Sequence, residues 1–204
     1  AQVKEILGPP RFEREAAMRC STPGVATGLA WTRVGGEILF VEAMAMPGKG
    51  RVIKTGQLGD VMKESAQAAL TYARSNAEAL GIADQMLKDQ QIHIHVPAGA
   101  VPKEGPSAGI AMAMAMISAL SGRPVAADLA MTGELTLTGR VLAIGGVKEK
   151  VLGALRAGIK RIVLPKDNEG DASELPDVVR ESLEFVYAET LDDVLEVGLR
   201  PAAE

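Results

Sequence analysis

The feature of this sequence that most restricts its fold is an uncharged run at residues 105–122, GPSAGIAMAMAMISALSG. Its length approaches the roughly 20 apolar residues with which a helix crosses a membrane. The run opens with Gly-Pro and contains many small residues, which favours instead a helix in the core of a globular domain. Met112, Met114 and Met116 alternate every second position, so on a helix they spread around the cylinder. The run therefore predicts a helix that is buried on all sides.

A chain of 204 residues, of which 47% are hydrophobic, is large enough to enclose such a helix in one domain. The net charge is −4 with both signs interspersed, and aromatic residues make up 3%. Because there is neither a basic stripe nor a set of stacking aromatic side chains, we expect no nucleic-acid surface. The single Cys20 cannot form an internal disulfide, and the first residues lack the apolar stretch of a signal peptide. Both points favour a cytoplasmic location.

The order of elements along the chain predicts an α+β (mixed α/β) fold in a single compact domain. Residues 1–20, with Gly-Pro-Pro at 8–10, are expected to form a linker segment, residues 21–200 the domain, and residues 201–204 a tail. A long helix is predicted to begin with Asp60 as its N-cap and to end near Leu80, before Gly81. Strict alternation at residues 92–96 predicts a strand.

Ser107 stands at the start of the uncharged run, within Gly105-Pro106-Ser107-Ala108-Gly109. This is the G-x-S-x-G pattern of the nucleophile elbow, although it is a weak signal alone in a chain with 22 glycines. A helix that starts beside the serine presents free backbone N–H groups, which would stabilise an oxyanion. A plain role for Ser107 as the N-cap of that helix explains its position equally well.

The choice of a base for Ser107 is restricted by the positions of His93 and His95, the two histidines of the chain. Both precede Ser107, which excludes the Ser-acid-His order of α/β-hydrolases. No aspartate lies between them and Ser107, which excludes the chymotrypsin order. A subtilisin-like order through Asp84 or Asp89 is formally possible, with cramped spacing. The remaining alternative is a buried lysine, because desolvation lowers the pKa of an amine until its neutral form exists near pH 7.

The stretch GGVKEKVLGALRAGI at residues 145–159 supplies a candidate lysine. One face of the predicted helix collects the apolar residues Val147, Val151, Ala154, Leu155 and Gly158. Lys150 falls within this stripe, whereas Lys148 and Arg156 fall outside it. A lysine at the edge of the stripe, with its ammonium extended to solvent, fits the same periodicity. The pattern therefore makes Lys150 a candidate base, but it does not decide whether the amine is buried or extends to solvent.

Two other kinds of site are weaker. His93 and His95 share one face of a strand and could supply half of a tetrahedral metal shell. Cys20 or Glu42 would have to complete it, and no spacing supports that, so no metal is expected. As a nucleophile, Cys20 lacks a glycine elbow, and a buried thiol is its ordinary role. A third alternative is a non-catalytic α+β domain that serves as an oligomerisation or binding platform. Such a domain would not need both Ser107 and a lysine in the stripe.

Four stretches of the chain resemble the proteolytic domain of Lon, the ATP-dependent serine protease. They are TPGVATGLAWT at 22–32, IHIHVPAGAVPKEGPSAGIAM at 92–112, MTGELTLTGRVLAIGGVKEK at 131–150 and AGIKRIVLP at 157–165. The stretches occur in family order and cover nearly all of the chain after residue 20. PKEGPSAG together with GGVKEK is far more specific than G-x-S-x-G alone.

The resemblance implies a serine endopeptidase with a Ser–Lys dyad. Ser107 matches the catalytic serine of the family and Lys150, the second lysine of GGVKEK, matches its catalytic lysine. Thr132 matches a threonine that orients the lysine, and Glu104 occupies an acidic position where many relatives carry aspartate. His93 and His95 match the paired histidines of the family, which lie near its site. Trp31 and Glu42 match positions in segments of its substrate groove.

The resemblance also implies partners. Lon enzymes join proteolysis to an ATP-driven AAA+ unfolding module and assemble as homo-hexamers. No stretch of this chain fits G-x-x-x-x-G-K-[ST], and the nearest, residues 48–56, has the wrong spacing. We therefore expect no cofactor in this domain, with ATP and magnesium used only by an upstream module. Unfolded polypeptides are the implied substrates, and no membrane contact is expected.

Overall fold

The structure, a computed structural model, describes residues 22–86, 90–97 and 101–201. Within these residues it has a seven-stranded sheet, a two-stranded sheet and six α-helices. The predicted mixed α/β fold in a single compact domain is confirmed. The linker predicted at residues 1–20, including Cys20, lies outside the described residues, as does Asp89. The boundaries of the domain and of its tail stay predictions.

The strands are β1 (Val25–Thr32), β2 (Gly35–Pro47), β3 (Val52–Thr55), β4 (Gln90–His95), β5 (Leu129–Met131), β6 (Glu134–Leu135), β7 (Val141–Leu142), β8 (Arg161–Pro165) and β9 (Glu184–Ala188). The helices are α1 (Asp60–Ser75), α2 (Gly109–Ser121), α3 (Val147–Arg156), α4 (Glu169–Ser173), α5 (Asp177–Arg180) and α6 (Leu191–Gly198). Short 3₁₀ turns occupy Asp84–Met86 and Lys166–Asn168.

The large sheet has the strand order β3-β4-β2-β1-β5-β8-β9. Strand β2 is antiparallel to both of its neighbours, β1 and β4. Strands β1, β5, β8 and β9 run parallel to one another. Because the carboxyl ends of parallel strands meet at one edge of a sheet, the segments that follow β5 and β8 emerge side by side. One of these segments begins with Thr132, whose N–H donates to the carbonyl of Val163 in β8 at 3.1 Å.

Helix α2 lies in the core, as the uncharged run predicts. Every residue from Gly109 to Ser118 is buried, and the helix contacts β1, β2, α1 and α6. It begins four residues later than the run itself and ends at Ser121, followed by the C-cap Gly122, which adopts a left-handed conformation with φ of 69°. None of the helices in the described part of the chain is long and apolar enough to cross a membrane.

The bounds of α1 differ from the prediction at both ends. Gly59, not Asp60, is the N-cap, and as a glycine it has no side chain to bond the first turn. The helix ends at Ser75 rather than near Leu80. It ends because Asn76, its C-cap, leaves the helical conformation, with φ of −116° and ψ of 20°. The backbone N–H and the side-chain Nδ2 of Asn76 both donate to the carbonyl of Tyr72, at 3.1 and 2.9 Å. These two hydrogen bonds close the last turn of the helix, and residues 76–81 form turns.

Ser118 connects α2 to the segment that leads into β1. Its side chain is fully buried, and its Oγ accepts a hydrogen bond from the Gly24 N–H at 2.8 Å. The same hydroxyl donates to the carbonyl of Arg123 beyond the end of the helix. One polar side chain thereby satisfies a buried backbone N–H and a partly buried backbone carbonyl.

We predict that Ser118→Ala lowers the free energy of unfolding by about 1–3 kcal/mol, because the Gly24 N–H then stays buried without an acceptor. Ser121→Ala is the matched control. The Ser121 hydroxyl is also buried in α2 but has no hydrogen-bond partner within the described residues, so its removal should cost nothing. Urea unfolding of both variants tests this, and equal losses of stability would contradict it.

Candidate active site

A cleft of about 1080 Å³ lies between the loop that precedes α2, the β1–β2 hairpin and the start of α3. It brings together Ser107, Lys150, Glu104 and Trp31 of the residues singled out in the sequence. The volume slightly exceeds the roughly 300–1,000 Å³ that is typical of small-molecule pockets. The cleft therefore has room for several residues of an extended peptide.

Ser107 occupies a turn two residues before α2 and is half-buried. The N-cap of α2 is Ala108, and no side chain caps the helix, so the alternative of Ser107 as a simple N-cap is wrong. Its carbonyl accepts hydrogen bonds from the Gly133 N–H at 2.9 Å and from the Thr132 hydroxyl at 3.1 Å. Its own hydroxyl bonds no other described residue, which leaves it available to react.

Lys150 is 3% exposed, so the alternative of an ammonium extended to solvent is wrong. Its Nζ donates to the Thr132 hydroxyl at 3.2 Å, and no carboxylate forms an ion pair with it among the described residues. Burial without a negative partner lowers the pKa of this amine from 10.5 to about 8. Lys148, two residues earlier, is exposed as predicted. Lys150 is thus the amine of α3 with the properties of a base.

Thr132 connects the two residues. It is fully buried directly after β5, accepts from Lys150 Nζ and donates to the carbonyl of Ser107. Since its backbone is bonded to β8, Thr132 is held by the sheet rather than by a loop. These contacts are compatible with the orienting role that the resemblance implies for Thr132, which stays a prediction.

The position of α3 is set by backbone contact with β2. A Cβ added to Gly36 would lie 1.8 Å from the carbonyl oxygen of Glu149, and one added to Gly153 would lie 2.5 Å from the carbonyl carbon of Gly36. Arg156 Nη2 donates to the Gly36 carbonyl at 2.6 Å. These glycines let the helix approach the strand closely, and the approach determines how deeply Lys150 lies.

Glu104 anchors the loop that carries Ser107. Its Oε1 accepts from the Val61 N–H of α1 at 3.2 Å and from the Gly105 N–H at 3.1 Å. The carboxylate thus binds the positive amino-terminal end of α1 from outside that helix. A Cβ on Gly59 would lie 1.5 Å from Glu104 Oε2, so the carboxylate needs glycine there. The Glu104 carboxylate therefore contacts α1 rather than Lys150.

His93 and His95 share one face of β4, as the alternation predicts. Both rings contact the hydroxyl of Thr55, through His93 Nε2 at 2.8 Å and His95 Nδ1 at 2.7 Å. Neither histidine lines the cleft with Ser107, so the structure does not support a subtilisin-like order. In the described ranges, no three His, Cys, Asp or Glu side chains are grouped to hold a metal ion.

The two residues predicted for the substrate groove differ in position. Trp31 lines the cleft with 58% of its surface exposed, and a Cβ on Gly146 would lie 3.3 Å from its indole ring. Glu42 lies farther along β2, opposite His95 of β4, and is not part of the cleft wall. The structure therefore brings Trp31 to the site and leaves Glu42 outside it.

Pattern analysis misses Asn168, a buried polar residue behind the cleft wall. It is 3% exposed, and its amide forms two hydrogen bonds with the backbone of Ile144, which lines the cleft. In the sequence it stands in PKDNEGD, a composition typical of an exposed turn. No local signal marks it, because its partner lies 24 residues away.

Over residues 1–201 the sequence matches the family described as the Lon protease (S16) C-terminal proteolytic domain. It is 58% identical over 199 residues to a Lon protease of Phenylobacterium zucineum, covering 98% of this chain and 25% of that protein. It is 60% identical over 198 residues to Lon protease 1 of Sorangium cellulosum, covering 97% and 24%. Lon protease 2 of Thermus thermophilus is 60% identical over 197 residues, again covering 97% and 24%. The chain thus spans about a quarter of the length of these relatives.

We predict that Lys150→Met stabilises the domain at pH 7. A fall in pKa from 10.5 to about 8 corresponds to roughly 3 kcal/mol of unfavourable free energy for the buried charge. Below pH 8 both the folded and the unfolded lysine are protonated, so the full cost is present. It disappears as the pH rises from about 8 to 10.5.

The free energy of unfolding should therefore rise by about 1–3 kcal/mol at pH 7 in Lys150→Met, and the gain should shrink by pH 10. Urea titrations at the two pH values measure this. The exposed Lys148→Met is the control and should change stability by less than about 0.5 kcal/mol at either pH. A loss of stability in Lys150→Met at pH 7 would contradict the prediction.

Proposed function

This chain belongs to the Lon protease (S16) C-terminal proteolytic domain family, and we propose that it hydrolyses peptide bonds of unfolded polypeptides through Ser107 and Lys150. The observation that carries the proposal is the buried Lys150 amine, which lacks a carboxylate partner among the described residues and lines the same cleft as Ser107. Buried amines of this kind are uncommon outside sites that use them as bases.

The first step is proton transfer from Ser107 to Lys150. With a pKa of about 8, about a tenth of the amine is neutral at pH 7, which suffices for a general base. Thr132 holds the amine from one side, and the same threonine holds the backbone of Ser107. The dyad is thereby oriented through a rigid third residue, as activated nucleophiles require.

The tetrahedral intermediate would be held by backbone N–H groups at the start of α2. Within the described residues, the N–H groups of Ser107 and Ala108 form no hydrogen bond, and both precede the positive end of the helix. Donors in such a position stabilise the charge on an oxyanion. Protonated Lys150 then delivers its proton to the leaving amine, and water hydrolyses the acyl-enzyme.

The walls of the cleft support an unfolded polypeptide as substrate. Apolar side chains dominate them, among which are Ile38, Phe40, Met62, Val101 and Ile144. Apolar side chains of this kind are exposed in unfolded chains and hidden in folded ones. Peptide hydrolysis also needs the scissile bond in an extended segment, which a folded domain rarely offers.

The proposal assigns no cofactor to the cleavage step. The relatives extend well beyond the part that matches this chain, and we place an upstream AAA+ module that uses ATP and magnesium in that remainder. Assembly as a homo-hexamer in the cytoplasm belongs to the same proposal, as does the absence of membrane or nucleic-acid contacts for this domain.

We predict that the chain cleaves reduced, carboxymethylated lactalbumin without ATP and that Ser107→Ala abolishes the cleavage. Lys150→Ala should lower kcat by about 10³-fold or more, because no other amine replaces the base. Lys148→Ala is the matched control and should retain activity within about twofold. Gel-based initial rates, with and without a chelator, measure these effects. Equal losses from Lys148→Ala and Lys150→Ala would contradict the dyad, and a loss with chelator would indicate a metal.

We predict that kcat/KM rises with pH through a midpoint near 8 and then levels off, because only the neutral form of Lys150 accepts the serine proton. Below the midpoint the neutral fraction, and with it the rate, should fall by about tenfold per pH unit. Initial rates between pH 6 and 9.5, corrected with Ser107→Ala, provide the profile. A rate that falls as the pH rises from 6 to 8 would exclude Lys150 as the base.

A further inference from the structure

Asn168 holds the backbone of Ile144 as a neighbouring strand would. Its Oδ1 accepts from the Ile144 N–H at 2.9 Å, and its Nδ2 donates to the Ile144 carbonyl at 3.0 Å. The same Nδ2 donates to Asp171 Oδ2 at 2.6 Å, which determines the orientation of the amide. One side-chain amide can bond both groups of a single residue only where they point the same way, as in extended backbone.

This geometry determines which way the neighbours of Ile144 point. In extended backbone the N–H and carbonyl of successive residues face opposite sides. Since Ile144 faces Asn168, the backbone groups of Ala143, which continues directly from β7, face away from it, and the chain then bends at Gly145. Ala143 and Gly145 both line the cleft and are exposed, and their backbone groups form no hydrogen bond with any other described residue. An unpaired edge of this kind pairs with another extended chain.

The edge leads directly into the helix of the dyad. Gly145 is followed by Gly146, the N-cap of α3, whose carbonyl accepts from the Lys150 N–H at 3.0 Å. A peptide paired with residues 143–145 therefore passes within one helical turn of the residue that supplies the base. Ordering this edge in advance reduces the entropy lost when the peptide binds.

We propose that Asn168 is a positioning residue for substrate, which holds residues 143–145 as a strand edge for the main chain of an extended polypeptide. The proposal rests on the proposed function for the identity of the ligand. It deepens that function, because it assigns recognition of the substrate backbone to residues 143–145. Asn168 holds these residues in place without touching the dyad or the substrate itself. The expected effect is on affinity and not on the chemical step.

Binding is measured first in chains that already carry Ser107→Ala, so that the result does not depend on catalysis. The probe is fluorescein-labelled, reduced and carboxymethylated lactalbumin, followed by anisotropy. Adding Asn168→Ala should raise Kd by about tenfold, as the loss of ordered main-chain pairing would. Ser118→Ala is the control, because it is also expected to cost stability but lies outside the cleft. It should leave Kd within about twofold.

In the active chain, Asn168→Ala should raise KM to a similar extent, with kcat within about threefold and the pH midpoint unchanged. A fall in kcat with unchanged KM, an equal effect of Ser118→Ala, or no change in Kd would overturn the proposal. If Asn168→Ala does not fold, Ala143→Pro decides, because it removes one outward N–H and leaves the Asn168 bonds intact. It should raise Kd by about fivefold or more, and an unchanged Kd would overturn the proposal. If the unmodified chain binds the probe but does not cleave it, the proposed function fails, whereas the effect of Asn168→Ala on Kd still tests the present proposal.

Discussion

The close packing of α3 on β2 is the contact on which the site depends. At Gly36 and Gly153 the backbones approach so closely that neither position has room for a Cβ. A side chain at either position would hold the helix farther from the sheet, and the Lys150 amine would then reach water. Its pKa would return toward 10.5, and the neutral amine would become scarce at neutral pH. Two residues without side chains thus control the acidity of a third.

The same packing places stability and chemistry in opposition. A buried ammonium whose one side-chain partner among the described residues is the Thr132 hydroxyl destabilises the folded state, since a hydroxyl does not neutralise a charge. The surrounding domain compensates with a core in which α2 is enclosed by β1, β2, α1 and α6. Functional sites commonly hold such a locally unfavourable group within a well-packed scaffold.

Composition and periodicity predicted the elements whose signals are local. The burial of α2 followed from a run without charges, and Lys150 was distinguished from Lys148 by its place in the stripe of α3. Whether Lys150 would reach solvent was not predictable, because the answer depends on Gly36, more than a hundred residues away. The first residue of α2 was not predictable either, because the turn before it is held by hydrogen bonds from the distant Thr132 and Gly133 to the carbonyl of Ser107. The resemblance to a family supplied the role of Thr132, but neither it nor any pattern indicated Asn168.

The complete burial of α2 has a consequence for survival among identical molecules. When the chain is unfolded, the residues that follow Ser107 are a long apolar stretch of the kind that the proposed activity would cut. In the folded domain every residue from Gly109 to Ser118 is hidden, so no part of that stretch can enter the cleft of another copy. If the proposed activity holds, folding is therefore what protects this stretch from cleavage by another copy, and a misfolded copy would become a substrate.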